Sequence, residues 1–287
     1  MGQKYQARGI ILKGSSIKES DRLVTVLTPE YGIIRAVAPG AKKHKSSLRG
    51  RTQLFVVNDL LLVRGKSLDK LVQADTIYTY PGLSKDIGKL AAAQYLAELS
   101  LSLAVDEQPQ PELYELLNEH LRRIEACDKN KSIYPYLAQG VFHLIAIAGL
   151  SPQVFNCCLT QKTISPSLVT ADTSVGFSFE GGGIINLQAL TAEKQNREDD
   201  AEDLEARYNN RLPKIDYRIN ETELAILQQL NHHSLPSEKL SGDRQQIDSA
   251  LEVAWIRAER ILREYIQYHT GRTIRSANLV DNLYVEF

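Results

Sequence analysis

The chain has 287 residues, and its 34 lysines and arginines against 35 aspartates and glutamates give a formal net charge of −1. This length allows two domains, or one large domain, with a substantial buried core. Three cysteines are too few for a disulfide framework, which favours a reducing, cytoplasmic compartment. No apolar run approaches the 18 or so residues of a membrane-spanning helix, so a membrane protein is not expected.

Charge is divided unequally along the chain. Residues 1–80 carry 14 lysines and arginines but six acids, a charge of +8, which leaves −9 for the remaining 207 residues. No acid stands between Glu30 and Asp59, where six lysines and arginines and His44 fall. This asymmetry favours a polyanionic partner for the N-terminal part. The alternative is a solvated basic face without a partner.

The N-terminal 80 residues contain short β-branched runs, such as LVTVLT at 23–28 and IIRAVA at 33–38, separated by glycine and proline turns. About five strands and no convincing helix predict a small closed barrel, because closure removes exposed sheet edges. A five-stranded oligonucleotide-binding (OB) barrel has this size, and an SH3-like barrel fits almost as well on length.

The pattern becomes helical after Pro81, so the whole chain is predicted to be α+β. Ser84 can cap a first helix, and Pro111 suits the first turn of a second. Asn220 and Glu223 have the spacing of a capping box, and a last helix is predicted from Gln245 to His269. The apolar stripes predict a helical domain over residues 81–150 and 220–287.

Residues 151–219 fit neither pattern and predict a small irregular insert with one hairpin. The insert contains Cys157 and Cys158, the glycine run 181–183, and the segment 197–207, which has six acids and is expected to be a mobile solvated loop.

No motif predicts an enzyme. The chain lacks a GxxxxGK[ST] phosphate loop, a GxGxxG turn, a GxSxG elbow and an HExxH pair. Structural zinc needs four cysteine or histidine ligands, usually as two close pairs. Cys157 and Cys158 are adjacent and no second pair follows, so neither a metal nor another cofactor is expected.

The stretch GIILKGSSIKESDRLVTVLTPEYGIIRAVAPGAKKHKSSLRG at 9–50 resembles the N-terminal domain of the bacterial RecO family of recombination-repair proteins, and LREYIQYHTGRTIRS at 262–276 resembles its last helix. The resemblance implies an OB barrel, a helical bundle and a zinc-finger-like insert. This chain departs from the pattern where residues 185–189 replace the second cysteine pair.

The resemblance also implies a function. It implies a non-enzymatic mediator of DNA repair, cytoplasmic and nucleoid-associated, that binds single- and double-stranded DNA and anneals complementary strands. Such a protein assists loading of RecA onto strands coated by single-strand-binding protein. The implied partners are RecR and the C-terminal tail of the single-strand-binding protein.

Lysines and arginines of the basic segment are the predicted DNA contacts. They are Arg35, Lys42, Lys43, Lys45, Arg49, Arg51, Arg64 and Lys66. Residues 42–45 are expected to form a mobile loop, and Tyr31 and Phe55 are the candidates for base stacking, although Phe55 also suits a core position. An OB-fold RNA-binding factor and a protein adaptor without DNA affinity remain alternatives.

Overall fold

A computed structural model describes residues 2–169, 174–199, 212–234 and 249–285. The chain divides into two compact units. The first contains residues 1–140 and 274–287, and the second contains residues 141–273. The three-part division expected from the sequence stays a prediction.

The first unit contains the predicted barrel. Its strands are β1 (Lys4–Ser16), β2 (Arg22–Thr28), β3 (Gly32–Ala38), β4 (Val57–Val63) and β5 (Asp69–Tyr78). They close in the order β1-β2-β3-β5-β4, with β3 and β5 parallel and the other pairs antiparallel. The predicted α+β class with a five-stranded OB-like barrel is confirmed.

Alternation along the strands builds the barrel core, because successive side chains of a strand point to opposite faces. Val24 and Val26 on β2 and Ala36 on β3 therefore lie inside. A short helix, α1 (Leu48–Arg51), contributes Leu48 to the same core. This helix was not expected, because four residues are too few to show a helical period.

Helices complete the first unit. They are α2 (Ile87–Leu103), α3 (Pro111–Ala126), the first half of α4 (Tyr134–Ile147) and α8 (Ala277–Val285). Pro111 is the first residue of α3, as predicted. The predicted cap of α2 is wrong: Ser84 lies in a 3-10 turn, and Asp86 accepts the Lys89 N–H instead.

The second unit combines a small sheet with helices. Strands β6 (Val175–Ser178), β7 (Gly183–Asn186) and β8 (Tyr217–Ile219) pair in the order β7-β6-β8. The helices are α5 (Leu187–Asp199), α6 (Glu221–Gln229) and α7 (Ser249–Thr270). The β6–β7 hairpin and the Asn220–Glu223 capping box confirm two predictions.

Two predictions on this unit reach beyond the described residues. The acidic segment 197–207 begins in α5, and its residues 200–207 lie outside them, as do residues 245–248 of the predicted last helix. In the described part of the chain, no helix is long and apolar enough to cross a bilayer.

Candidate nucleic-acid interface

The eight predicted DNA contacts fall into two groups at opposite ends of β3. Arg35, Arg64 and Lys66 line a groove beside the start of the strand. The other five belong to the segment 40–51, called here the basic loop, which follows the end of the strand; they are Lys42, Lys43, Lys45, Arg49 and Arg51. At 3.3 Å per residue the seven residues of β3 span roughly 20 Å.

The basic loop is a folded set of turns. The Lys42 N–H donates to the Ser20 carbonyl at 2.9 Å, the Lys43 N–H to Gly40 at 3.0 Å, and the Ser46 N–H to Lys43 at 3.1 Å. The lysine side chains at 42, 43 and 45 are exposed. The backbone of the loop is thus held by hydrogen bonds, and its charged side chains project into solvent, while the expected mobility of residues 42–45 stays a prediction.

The β1–β2 connection supports the basic loop. Asp21 accepts the Gly40 N–H at 2.8 Å and the Ser20 hydroxyl at 3.0 Å. These hydrogen bonds, together with the nearby cations Lys18 and Lys43, lower the pKa of the Asp21 carboxyl. Lys18 thus belongs to the same cationic surface, although it lies outside the acid-free interval on which the prediction was based.

A row of side chains crosses the outer face of three strands. Thr25 pairs with Arg35 and also with Lys13, so the two cations flank a threonine on adjacent strands. A bulge between Ile11 and Lys13 produces this arrangement. Without it, Lys13 would share the core face of Ile11. Lys13 is exposed and joins the predicted cations.

The groove has a volume of about 430 Å³ and contains two tyrosines. The rings of Tyr5 and Tyr31 meet edge to face with centroids 5.2 Å apart, and the Arg64 guanidinium lies 5.1 Å from the Tyr5 centroid. The Tyr5 hydroxyl donates to Asp69. Burial, and then this bond to a carboxylate, raise the pKa of Tyr5.

Only one of the two stacking candidates reaches this surface. Tyr31 lines the groove, whereas Phe55 is 4% exposed and is held in the left-handed region at φ +62°. Phe55 cannot contact a base there, so that candidate is wrong and the core alternative is correct.

Carboxylates compensate two of the predicted cations. Arg35 lies 3.9 Å from Asp106, and Arg51 lies 3.4 Å from Asp75. Both pairs are largely exposed, and such pairs contribute little stability, so a phosphate can displace the carboxylate at small cost.

A second groove of the barrel, formed by β1, β4, β5 and α3, carries mostly the other sign of charge. This groove has a volume of about 520 Å³ and is lined by four acids, Glu30, Asp59, Asp75 and Glu115, and by Arg8. Arg8 is paired with Asp59 at 3.1 Å. The four carboxylates make this groove unfavourable for a polyanion, although Asp75 also pairs with Arg51 of the basic loop.

The described residues of the insert do not bring together the four ligands of a structural zinc site. Cys157 is 1% exposed, and its Sγ accepts the Asn186 N–H at 3.4 Å. The position expected for a second cysteine pair holds the buried apolar Ile185. Within the described ranges, no group of three or more histidine, cysteine or acidic side chains could hold a metal ion. The absence of a cofactor stays a prediction.

Comparison with known proteins identifies similar sequences. Residues 1–80 match the family model described as recombination protein O N terminal, and residues 84–205 match recombination protein O C terminal. A DNA repair protein RecO of Gloeothece citriformis is 56% identical, with 99% of this chain and 98% of the relative aligned. Proteins of the same name from a Nostoc species and from Nostoc punctiforme are 47% and 46% identical, each over 99% of this chain and 97% of the relative.

Proposed function

The chain belongs to the RecO family of DNA repair and recombination proteins, which are non-enzymatic mediators, and on that premise we propose that it binds single- and double-stranded DNA through the barrel. The observation that carries this proposal is the uneven distribution of charge over the barrel. Exposed cations lie on the basic loop and on the outer face of β1–β3, as at Lys13 and Arg35, whereas the groove formed by β1, β4 and β5 is lined mainly by acids.

The proposed contacts suit DNA of any sequence. Lysine and arginine bind phosphates without reading bases, and each neutralised phosphate releases counterions, so affinity falls steeply with salt. Lys42, Lys43 and Lys45 are exposed on a hydrogen-bonded backbone, which presents their charges to a strand without further ordering of the chain.

We further propose that the protein anneals complementary strands and assists loading of RecA onto DNA coated by single-strand-binding protein. Contacts to phosphates leave the base edges free to pair, which annealing requires. Membership of the family supports RecR and the C-terminal tail of single-strand-binding protein as partners, and a DNA-bound, cytoplasmic location follows from the proposed substrate.

Replacing Lys42, Lys43 and Lys45 together by glutamine tests the DNA contact. Removing three phosphate contacts should reduce the slope of log K against log salt by about 2.7 on duplex DNA and about 2.1 on a single strand. The measurement is fluorescence anisotropy of labelled DNA over a salt series.

The matched control replaces three exposed lysines outside the barrel, Lys85, Lys129 and Lys162, by glutamine. Its affinity and salt slope should equal those of the wild type. If the two triple variants bind DNA equally well, the basic loop is not the DNA contact. If the wild type binds no DNA at about 150 mM salt, the proposed function is wrong.

A further inference from the structure

We propose that the groove beside the start of β3 is a subsite for one unpaired nucleotide, whereas the basic loop binds phosphates of single and double strands alike. This inference rests on the proposed DNA binding and divides it between two sites. It concerns Tyr5, Tyr31, Arg35, Arg64 and Lys66 in the groove.

The charge of the two sites differs. Three cations of the groove, Arg35, Arg64 and Lys66, face three acids, Asp69, Asp106 and Glu107, so its net charge is zero. The basic loop contains five lysines and arginines and no acid of its own; two acids of other segments, Asp75 and Asp21, contact it, so an excess of positive charge remains. Duplex DNA carries one charge for each 1.7 Å or so of axis, and a site without net charge gains little from it. The basic loop therefore provides the phosphate affinity, and the groove requires another kind of ligand.

The aromatic side chains of the groove indicate that ligand. Tyr5 and Tyr31 provide ring surface, and the Arg64 guanidinium is already placed against the Tyr5 ring. Bases stack on tyrosine rings and on guanidinium planes, and every base has a face that can do so. A volume of about 430 Å³ also falls in the range of about 300–1,000 Å³ found for small-molecule pockets.

The two rings are held in place before a ligand arrives. The Tyr5 hydroxyl is fixed by Asp69, and the turn that carries Tyr31 is fixed by Thr28, whose hydroxyl accepts the Tyr31 N–H at 3.1 Å and donates to the Gly32 carbonyl at 2.9 Å. A site with fixed walls loses little conformational entropy on binding, which favours a stacking role.

The link between α2 and α3 closes one end of the groove with negative charge. Asp106 makes backbone bridges to Gly32 and Ile33, and the Gln110 N–H donates to the Pro29 carbonyl at 2.9 Å. The carboxylates of Asp106 and Glu107 thereby stand at the groove wall. They repel a continuing phosphate chain there, which directs the strand along β3 toward the basic loop.

A base inside a duplex cannot enter this subsite, because both of its faces and its pairing edge are occupied. Unpaired bases can turn out and stack on protein side chains. The groove should therefore raise affinity for single strands and leave affinity for duplex DNA unchanged.

The test is the change Tyr31→Ala in the full chain, with affinities measured for a single strand and a duplex of equal length. The single-strand Kd should rise by roughly fivefold to a hundredfold, the range for loss of one stacked base, and the duplex Kd should stay within about twofold. The salt slope should not change, because no phosphate contact is lost. Tyr31→Phe retains the ring and should retain the wild-type single-strand affinity.

The control variant is Tyr78→Ala, which removes a tyrosine that is 44% exposed on β5 and outside the groove. It should leave both affinities unchanged. Photo-crosslinking of a single strand containing 5-iodouracil should label the wild type at Tyr31 or Tyr5, and Tyr31→Ala should reduce the yield.

Two results would overturn the subsite. One is an equal loss of single-strand and duplex affinity in Tyr31→Ala, and the other is no loss in either. Both require a wild type that binds DNA, so they are distinct from failure of the proposed function, in which the wild type binds neither form.

Discussion

Gly32 connects the turn before β3 to the link between α2 and α3. Its backbone lies in the left-handed region at φ +62°, and a Cβ atom there would lie 2.5 Å from the Val105 carbonyl oxygen and 2.6 Å from that of Gln108. Both facts require glycine, because a side chain would strain the turn and push the link off the barrel. Gly32 therefore allows the link between α2 and α3 to pack against the barrel, where Asp106 and Glu107 line the groove.

The change Gly32→Ala should lower the free energy of unfolding by about 1–2 kcal/mol from the backbone conformation alone, and further from the two close contacts. Urea denaturation followed by circular dichroism measures it. Gly50→Ala is the matched control, since a Cβ at Gly50 on α1 meets no atom within 4 Å. An unchanged urea midpoint in Gly32→Ala would contradict this account.

At the scale of single residues, the sequence shows which side chains are charged but not where the fold places them. The absence of acids between Glu30 and Asp59 led to the choice of six of the eight cations, and the structure places Arg35, Arg64 and Lys66 in one groove, while their role in DNA binding stays a prediction. Lys13 was missed because a bulge moves it from the core face to the outer face, and a bulge breaks the period on which the prediction depends. The Tyr5–Tyr31 contact joins distant positions and has no local signal.

A carboxylate on α2 binds the segment that leads into α8. Glu98 on α2 accepts the Ser276 hydroxyl at 2.5 Å, the Ser276 N–H at 2.7 Å and the Arg275 N–H at 3.1 Å, just before α8 begins. Burial alone would raise the pKa of Glu98, but these hydrogen bonds outweigh it and lower the pKa. Within the segment GRTIRS, Arg275 and Ser276 therefore serve as the hydrogen-bond donors to the Glu98 carboxylate.

The change Glu98→Gln should lower the free energy of unfolding by about 1–2 kcal/mol at neutral pH, since a charged acceptor is replaced by a neutral one. The folded-state pKa is depressed, so the contribution of Glu98 is present above its unfolded pKa of about 4.3 and is lost as pH falls through the lower folded value. Urea unfolding of both proteins from pH 7 to pH 3 measures this, and the difference should shrink at the acidic end. A difference that does not depend on pH would contradict the role of the charge.

Elements with local signals were predicted and those without them were not. Pro111 and the Asn220–Glu223 box mark two helix starts correctly. Asp86 and Ser84 are both good capping residues, and the sequence did not distinguish them. Helix α5 was missed because it has no apolar stripe: among its residues 187–196 only Leu190 is buried.

At the scale of the whole molecule, the net charge of −1 hides two opposite parts. Residues 1–80 carry +8, and the structure folds them into a barrel whose cations concentrate on the face of β1–β3 and the basic loop. The same residues match the N-terminal sequence model of the RecO family. The proposed polyanion binding is therefore assigned to the barrel, where the excess of positive charge lies.

The mediator function itself is tested most directly by annealing. Two complementary DNA strands, each coated by single-strand-binding protein, are mixed with the protein, and duplex formation is followed by fluorescence transfer between labels on the strands. The wild type should accelerate annealing without a nucleotide cofactor, the Lys42, Lys43 and Lys45 glutamine variant should lose most of the acceleration, and the Lys85, Lys129 and Lys162 control should retain it. A wild-type protein that binds naked DNA but does not accelerate annealing of the coated strands would contradict the account.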